Sequence, residues 1–380
     1  MLGGNKILRV INFMITKKSR ILYIVPLPPP VHGSAMVCQY IKESNHIKGK
    51  FDGDFVNLST SRSLEEIGKR NFTKIFRFLG AYFIVFIKLL LKKYDLCYLA
   101  ITCHGIGFLK DAPFVLLCKL FGRKVVIHQH NKGMSECVEK WPYRWLLPLV
   151  YKNTKVILLS WHLYPDIEKI VKKEQILICP NGIPELSDID FTNNKINAIP
   201  HLLFLSNLIE SKGVFVLLDA CKLLKEKGIQ FTCNFIGGES KEINRAVFEL
   251  EVRKRGINDC VTYYGPKYGE EKNKFWTECD IFVFPTYNDC LPLVILEAMQ
   301  WNLSVVATNE GGIPDLVKDG ENGFIIPSKD ANTLAAALEK LITNPKLCVE
   351  MGNNGYKKFK EQYTLTAFEH CFIKTIKAIM

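Results

Sequence analysis

Residues 284–300 read FPTYNDCLPLVILEAMQ. The run DIFVFPT (280–286) is predicted to be a strand that ends at Pro285, because proline has no amide hydrogen to give a central ladder. A short polar loop carrying Asp289 follows. Pro292 then stands where a first helical position tolerates it, since that N–H has no intrahelical acceptor in any case. LVILEAMQ (293–300) reads as a helix, with Glu297 about one and a half turns inside it. Strand, loop and helix in this order form the repeating unit of a parallel α/β sheet, whose ligands gather at the carboxyl ends of the strands. The helix start offers free N–H groups and the positive end of a dipole, a seat for a diphosphate. Asp289, outside the helix, is placed to accept hydrogen bonds from sugar hydroxyls, and Glu297, deeper, to grip a ribose. The alternative is an acidic loop residue beside a solvated helix glutamate.

Working outward, the same alternation recurs through the chain. Strands are predicted at 21–27, 95–101, 124–130 and 155–160 in the first half, and at 201–207, 231–237, 261–265, 280–286, 303–308 and 323–327 in the second. Helical patterns such as GVFVLLDACKLLKEKG (213–228) lie between them. The fold class is therefore α/β, with two Rossmann-like, doubly wound parallel-sheet domains, and 380 residues suffice for both. The expected division is 1–185 for the first domain, 186–200 for a Pro-, Asn- and Asp-rich linker and 201–362 for the second domain. An amphipathic helix in 363–380 is expected to return toward the first domain.

Further constellations lie at predicted strand ends. In FLSNLIESKG (204–213), Lys212 is placed to set an ammonium on a pyrophosphate oxygen, with Asn207 nearby. FIGGES (235–240) and YYGPK (263–267) bring Gly237, Gly238 and Gly265, which permit close backbone approach to a ligand. LPPPVHGSAM (27–36) brings Gly33 after the first strand. HQHNKG (128–133) ends another strand, where alternation sets His128 and His130 on one side. Two histidines so spaced suit a metal only with a third ligand, and none is apparent. A hydrogen-bonded strand-end histidine is the other reading.

The block 284–300, with its continuation SVVATNEGGIPDLVKDGENGFIIP (304–327), resembles the signature of the group 1 glycosyltransferases (glycosyltransferase family 4, GT-B fold). That family has two glutamates here, the first on the donor sugar and the second on the nucleotide ribose. This chain has Asp289 at the first position, one methylene shorter, and Glu297 at the second. Lys212 matches a lysine that the family sets on the donor phosphates, whereas Asn207 stands where an arginine is usual. His130, followed by Asn131, matches a histidine directed toward the donor sugar, and Gly33 matches the loop over the diphosphate. The resemblance thus implies catalytic roles for His130, Asp289 and Lys212, and substrate-binding roles for Gly33, Asn207, Gly237, Gly265, Leu293 and Glu297. It further implies two domains facing across a cleft. The implied activity is transfer of a sugar, with retention, from a UDP- or GDP-sugar to an acceptor hydroxyl, without a bound metal or other cofactor. A nucleotide-sugar epimerase and a non-catalytic sugar-binding protein are the rival readings.

Composition bounds the partners. Hydrophobic residues make up 48% and charged residues 23%, as in ordinary globular chains. The 13 cysteines show no CxxC spacing, which fits a reducing compartment better than a disulfide framework or zinc site. The start of the chain is a poor secretory signal and no apolar run is long enough to span a bilayer, so a cytoplasmic enzyme is expected. Of the net charge of +12, residues 1–190 carry +13 (28 Lys+Arg against 15 Asp+Glu) and residues 191–380 carry −1 (22 against 23). Such asymmetry favours an anionic partner. No nucleic-acid motif accompanies it, and nucleic acid is not expected to bind. In 74–93, helical spacing sets Lys74, Arg77, Lys88 and Lys92 on one side of an otherwise apolar run, as for a helix resting peripherally on an anionic membrane. With the resemblance, this favours a lipid-linked glycan acceptor of the kind used in assembling bacterial surface polysaccharide.

Overall fold

The computed structural model describes residues 18–59, 72–186 and 197–380. The start of the chain and most of the expected linker, 187–196, lie outside the described residues. The first sheet comprises β1 (Ser19–Val25), β2 (Phe51–Asn57), β3 (Leu96–Leu99), β4 (Val125–Gln129), β5 (Lys155–Leu158) and β6 (Ile176–Ile178). The second comprises β7 (His201–Leu205), β8 (Thr232–Ile236), β9 (Val261–Tyr263), β10 (Ile281–Phe284), β11 (Ser304–Thr308) and β12 (Gly323–Ile326). Their orders are β2-β1-β3-β4-β5-β6 and β12-β11-β10-β7-β8-β9, and neighbours pair in parallel throughout. Helices cover both faces, so central strands such as LCYL of β3 and IFVF of β10 are apolar and buried along their whole length.

The strand orders fix where a ligand can enter. The sequence of strands reverses between β1 and β3 in the first sheet and between β7 and β10 in the second. Crevices open outside the carboxyl ends at such switch points. The loops after β7 and β10 carry Lys212 and Asp289. The loop after β1 leads into Gly33, the first residue of the helix Gly33–Glu43, and the loop after β4 carries His130.

The chain passes between the domains twice. Residues 183–186 lead away from the first sheet, and 363–365 lead back. The crossings are tied together by Ile183 N–H to Tyr363 O (3.1 Å) and Leu365 N–H to Ile183 O (2.7 Å). Thr364 caps the helix Leu365–Ile379. Its Phe368, Phe372, Ile373 and Ile376 pack with Ile21, Tyr23, Val126 and Ile157 on the back of the first sheet.

One expectation needs correction. The helix Phe72–Leu91 does not present its cations outward. Lys74, Arg77, Lys88 and Lys92 fall on the side of buried Val85 and Leu89, and Lys88 and Lys92 pair with Asp54 of β2 at 2.9 and 3.0 Å. Among the described residues, no helix is long and apolar enough to cross a membrane.

Candidate active site

The loops after β7, β8 and β9 are fastened through their backbones. Gly238 N–H donates to Asn207 Oδ1 (3.0 Å), Leu208 N–H to Gly238 O (2.8 Å), and Gly237 N–H to Gly265 O (3.1 Å). The Tyr263 hydroxyl donates to Gly237 O at 2.8 Å. Gly237 has φ +151°, and a side chain there would run into the carbonyl of Ser206, so only glycine closes this turn. Arg245 sits beside Gly265, its guanidinium 4.6 Å from the centre of the Tyr263 ring. Asn207, Gly237 and Gly265 thus share one ridge, and Arg245 adds a cation that no sequence pattern singled out.

Next to this ridge lies the junction of β7 and β10. Lys212 ends a short turn, and the following Gly213 (φ +82°) packs directly on the carbonyl of Pro285. The Lys212 ammonium therefore reaches the β10 loop, 2.7 Å from Asp289 Oδ2 and 3.0 Å from Asn288 O. The two side chains are about four-fifths buried, 21% and 19% exposed. Asp289 Oδ1 accepts the N–H of Cys290 at 2.9 Å. Gly311 (φ +52°) is pressed against the Asp289 carbonyl, and the Gly312 N–H donates to Cys290 O, so the double glycine supports this loop. Glu310, just before it, forms an ion pair with Lys132 of the first domain.

Pro292 is the N-cap of the helix Leu293–Gln300 and not its first helical residue, with no side chain capping that end. Leu293 packs against both hydrophobic cores and so sits at the junction of the domains. Glu297 pairs with Lys272 at 2.9 Å, each about a quarter exposed. Lys272, from the helix Gly269–Glu278, was missed by sequence reasoning, because nothing distinguishes it from the neighbouring lysines. The Tyr40 hydroxyl in the first domain is pushed up to about 12 by burial and then by the charges of Glu297 and Glu43, which sets Tyr40 in the field of the C-terminal site.

On the opposite side, the first domain holds a pocket of ≈ 420 Å³, with His32, Ser34, Lys110, Asp111, His130 and Asn131 in its lining. His32 caps the helix Gly33–Glu43, and the space where a Gly33 side chain would project is open. Asp111 accepts the Thr102 N–H at 2.9 Å, its other oxygen lies 3.3 Å from Lys110, and burial raises its pKa. Both ring nitrogens of His130 are shielded from solvent and without a hydrogen-bond partner. Burial, then the nearby His32, lowers its pKa to about 3, so the ring is neutral at pH 7 and can donate or accept. His128 is turned to Tyr98, 2.6 Å from its hydroxyl, in the sheet interior. Among the described residues, no group of three or more His, Cys, Asp or Glu is arranged to hold a metal.

Two clusters follow: Lys212, Asp289, Leu293 and Glu297 beside the glycine ridge, and His130 with the Gly33 loop across from them. Residues 188–358 match the family model described as "Glycosyl transferases group 1". Over that stretch, 171 of its 380 residues, the chain is similar to the group 1 glycosyl transferases. The matched residues include every site residue after 200. Over 146 residues the chain is 33% identical to the amylovoran biosynthesis glycosyltransferase AmsK of Erwinia amylovora, covering 37% of this chain and 35% of that one. Over 192 residues it is 28% identical to the capsular polysaccharide biosynthesis glycosyltransferase CapM of Staphylococcus aureus, covering 48% and 49%. The chain thus spans about half or less of the length of these relatives. The whole fold has counterparts in sucrose-phosphate synthase from Thermosynechococcus elongatus (TM-score 0.73, 17% identity, 95% of this chain and 99% of that one). Anabaena HepE in complex with UDP is similar too (TM-score 0.71, 16% identity, 95% and 100%). The architecture is therefore GT-B.

Proposed function

We propose that this protein is a retaining glycosyltransferase that moves a sugar from a nucleoside diphosphate sugar to the hydroxyl of a lipid-linked glycan on the cytoplasmic side of the membrane. One observation carries the reading. Lys212 and Asp289 meet at 2.7 Å where the loops of β7 and β10 converge, close to the helix that carries Glu297. The donor diphosphate takes the helix N-terminus and competes with Asp289 for the Lys212 ammonium. This frees the Asp289 carboxylate for the sugar hydroxyls. Glu297 exchanges Lys272 for the ribose hydroxyls, and Lys272 or Arg245 supplies the cation that Asn207 does not. Neutral His130 reaches the transferred sugar from the other domain by hydrogen bonding.

In the chemical step the bond from the anomeric carbon to the diphosphate oxygen breaks. The acceptor oxygen bonds that carbon from the same face, and its proton passes to the departing diphosphate. Lys212 and the helix dipole stabilise the charge that develops there, and the scheme uses no metal or other cofactor. Relatives named for amylovoran and capsular polysaccharide biosynthesis support a glycan acceptor, and a structural neighbour bound to UDP supports a nucleotide donor.

The test is a thermal-shift and hydrolysis screen against UDP-, GDP-, ADP- and dTDP-sugars, followed by Asp289→Asn. That variant should bind the free nucleoside diphosphate like wild type and turn over poorly. Equal loss of affinity for nucleotide and nucleotide sugar would place Asp289 elsewhere, and a product with an inverted sugar centre and no acceptor would indicate epimerisation.

A further inference from the structure

The loop after β4 is fastened on both sides of Lys132. Asn131 Oδ1 accepts the N–H of Cys103 at 2.9 Å. The N–H groups of Gly133, Met134 and Ser135 donate to the carboxylate of Asp166 at 3.0, 3.1 and 3.1 Å, and the Ser135 hydroxyl adds a fourth bond at 2.8 Å. Gly133 (φ +118°) lies against the His104 ring, in a conformation that a side chain would strain. Lys132 is two residues from His130, and a loop held in this way carries both as one piece.

Glu310 is tied as closely to the facing loop of the second domain. Its Oε1 accepts the N–H of Asp289 at 3.4 Å. The two residues that follow complete the attachment, Gly311 against the Asp289 carbonyl and Gly312 by its hydrogen bond to Cys290 O. The Lys132 ammonium pairs with the same Glu310 oxygen. The two side chains are 30% and 12% exposed, so water and salt screen this pair less than one on the open surface. Another pair crosses the same boundary, His162 with Asp315 at 3.4 Å, but its side chains are 53% and 43% exposed and it contributes little.

We infer that Lys132 and Glu310 are positioning residues, whose ion pair joins the piece that carries His130 to the piece that carries Asp289 and so fixes the separation of those two side chains across the cleft. The path is short: from His130 along its own loop to Lys132, across to Glu310, and through one hydrogen bond to the backbone of Asp289. Neither residue is asked to touch sugar or phosphate. The roles of His130 and Asp289 are those of the proposed sugar transfer, on which this inference rests, whereas the link between the loops is measured without substrate. A misplacement of about 1 Å between reacting groups can cost roughly a hundredfold in rate, so a single contact of this kind weighs far more on turnover than on folding.

The experiment compares wild type with Lys132→Met, Glu310→Gln, the two combined, Lys132→Arg and His162→Gln, with a melting curve for each. Glutamine at 310 keeps an acceptor for the Asp289 N–H and removes only the charge. Hydrogen exchange of the full chain without ligand reads the link, kcat and donor KM read its use, and titration of the double variant with UDP and GDP reads any direct phosphate contact. Lys132→Met should speed exchange severalfold in 286–290, in the other domain, and lower kcat roughly tenfold to a hundredfold with donor KM little changed. The double variant should be no slower than the slower single one, because both substitutions remove one contact. Lys132→Arg keeps the charge and should stay within about threefold of wild type, and His162→Gln within about twofold. Unchanged exchange at 286–290 in Lys132→Met, or losses that multiply in the double variant, would overturn the inference. So would nucleotide binding weakened roughly tenfold in the double variant, which leaves no stray charge, since Lys132 would then be a ligand of the diphosphate. A wild type inactive with every donor would refute the sugar-transfer reading instead, and the exchange comparison would decide the link by itself.

Discussion

Glu297→Gln separates a ligand contact from a structural one, because the geometry fixes both magnitudes in advance. Glu297 and Lys272 meet at 2.9 Å, yet their side chains remain 24% and 26% exposed. A pair so open to water contributes roughly 0–1 kcal/mol to folding. Glutamine keeps the shape and one acceptor oxygen, so the melting temperature without ligand should move by no more than about 2–4 °C. Binding is different. Charged hydrogen bonds to ribose hydroxyls are worth roughly 1.5–3 kcal/mol, so their loss should weaken the nucleoside diphosphate roughly tenfold to hundredfold. The assay is isothermal titration with the nucleotide that the donor screen selects, alongside melting without ligand. Lys272→Met serves as a control and should stay within the same few degrees. Unchanged affinity in Glu297→Gln would refute the reasoning, as would a large loss of ligand-free stability that accounts for the weaker binding.

Three further outcomes are expected. Gly33→Ala meets nothing within 4 Å and lies in the first turn of a helix, so it should leave stability unchanged or raise it by about 0.4–1 kcal/mol while lowering turnover; full turnover would remove Gly33 from the donor loop. His130 is lowered to about 3 from its ordinary 6.5, so between those values the unfolded chain binds a proton that the native chain does not. Stability should then fall as pH falls through that window, by up to about 1.4 kcal/mol per unit, and His130→Gln should flatten the decline in urea midpoints; identical profiles would mean that His130 is hydrated. Transferase activity should survive a strong chelator, and inactivation by EDTA that Mg²⁺ or Mn²⁺ reverses would contradict a scheme without metal.

Elements covered on both faces were legible in the sequence, because burial writes itself as β-branched and apolar runs: β3, β4, β10 and β11 are all of this kind. The edge strands β9 and β12 of the second sheet were legible too, but those of the first sheet were not. FDGDFVN of β2 has an acidic and glycine-rich pattern because only one flank pairs, and Gly53 is needed where a side chain would press on the Tyr23 ring. ILI of β6 is too short to stand out. At the site, motif spacing pointed to Asp289, Glu297 and Lys212 but not to the partners Lys272 and Arg245, which pair through space and share no local pattern with them. Helical periodicity grouped the four cations of 74–92 correctly. It could not say which side of the helix faces inward, since that depends on Asp54, more than thirty residues earlier in numbering than Lys88.

The helix Leu365–Ile379 lies on the back of the first sheet although it follows the whole second sheet in the chain. A ribosome therefore releases the strands of the first domain long before the helix that covers Ile21, Tyr23 and Ile157. From β6 to that helix is roughly two hundred residues, on the order of 10–40 s of synthesis at typical rates. For that interval this face keeps the early packing of Val37, Cys38, Ile41 and Ile47 but lacks the rest of its native cover, which a chaperone or transient contacts must replace. The second domain, being continuous in sequence, can complete its own core as soon as it emerges. Folding of the nascent chain thus runs against its order of synthesis: the domain made first is the one finished last.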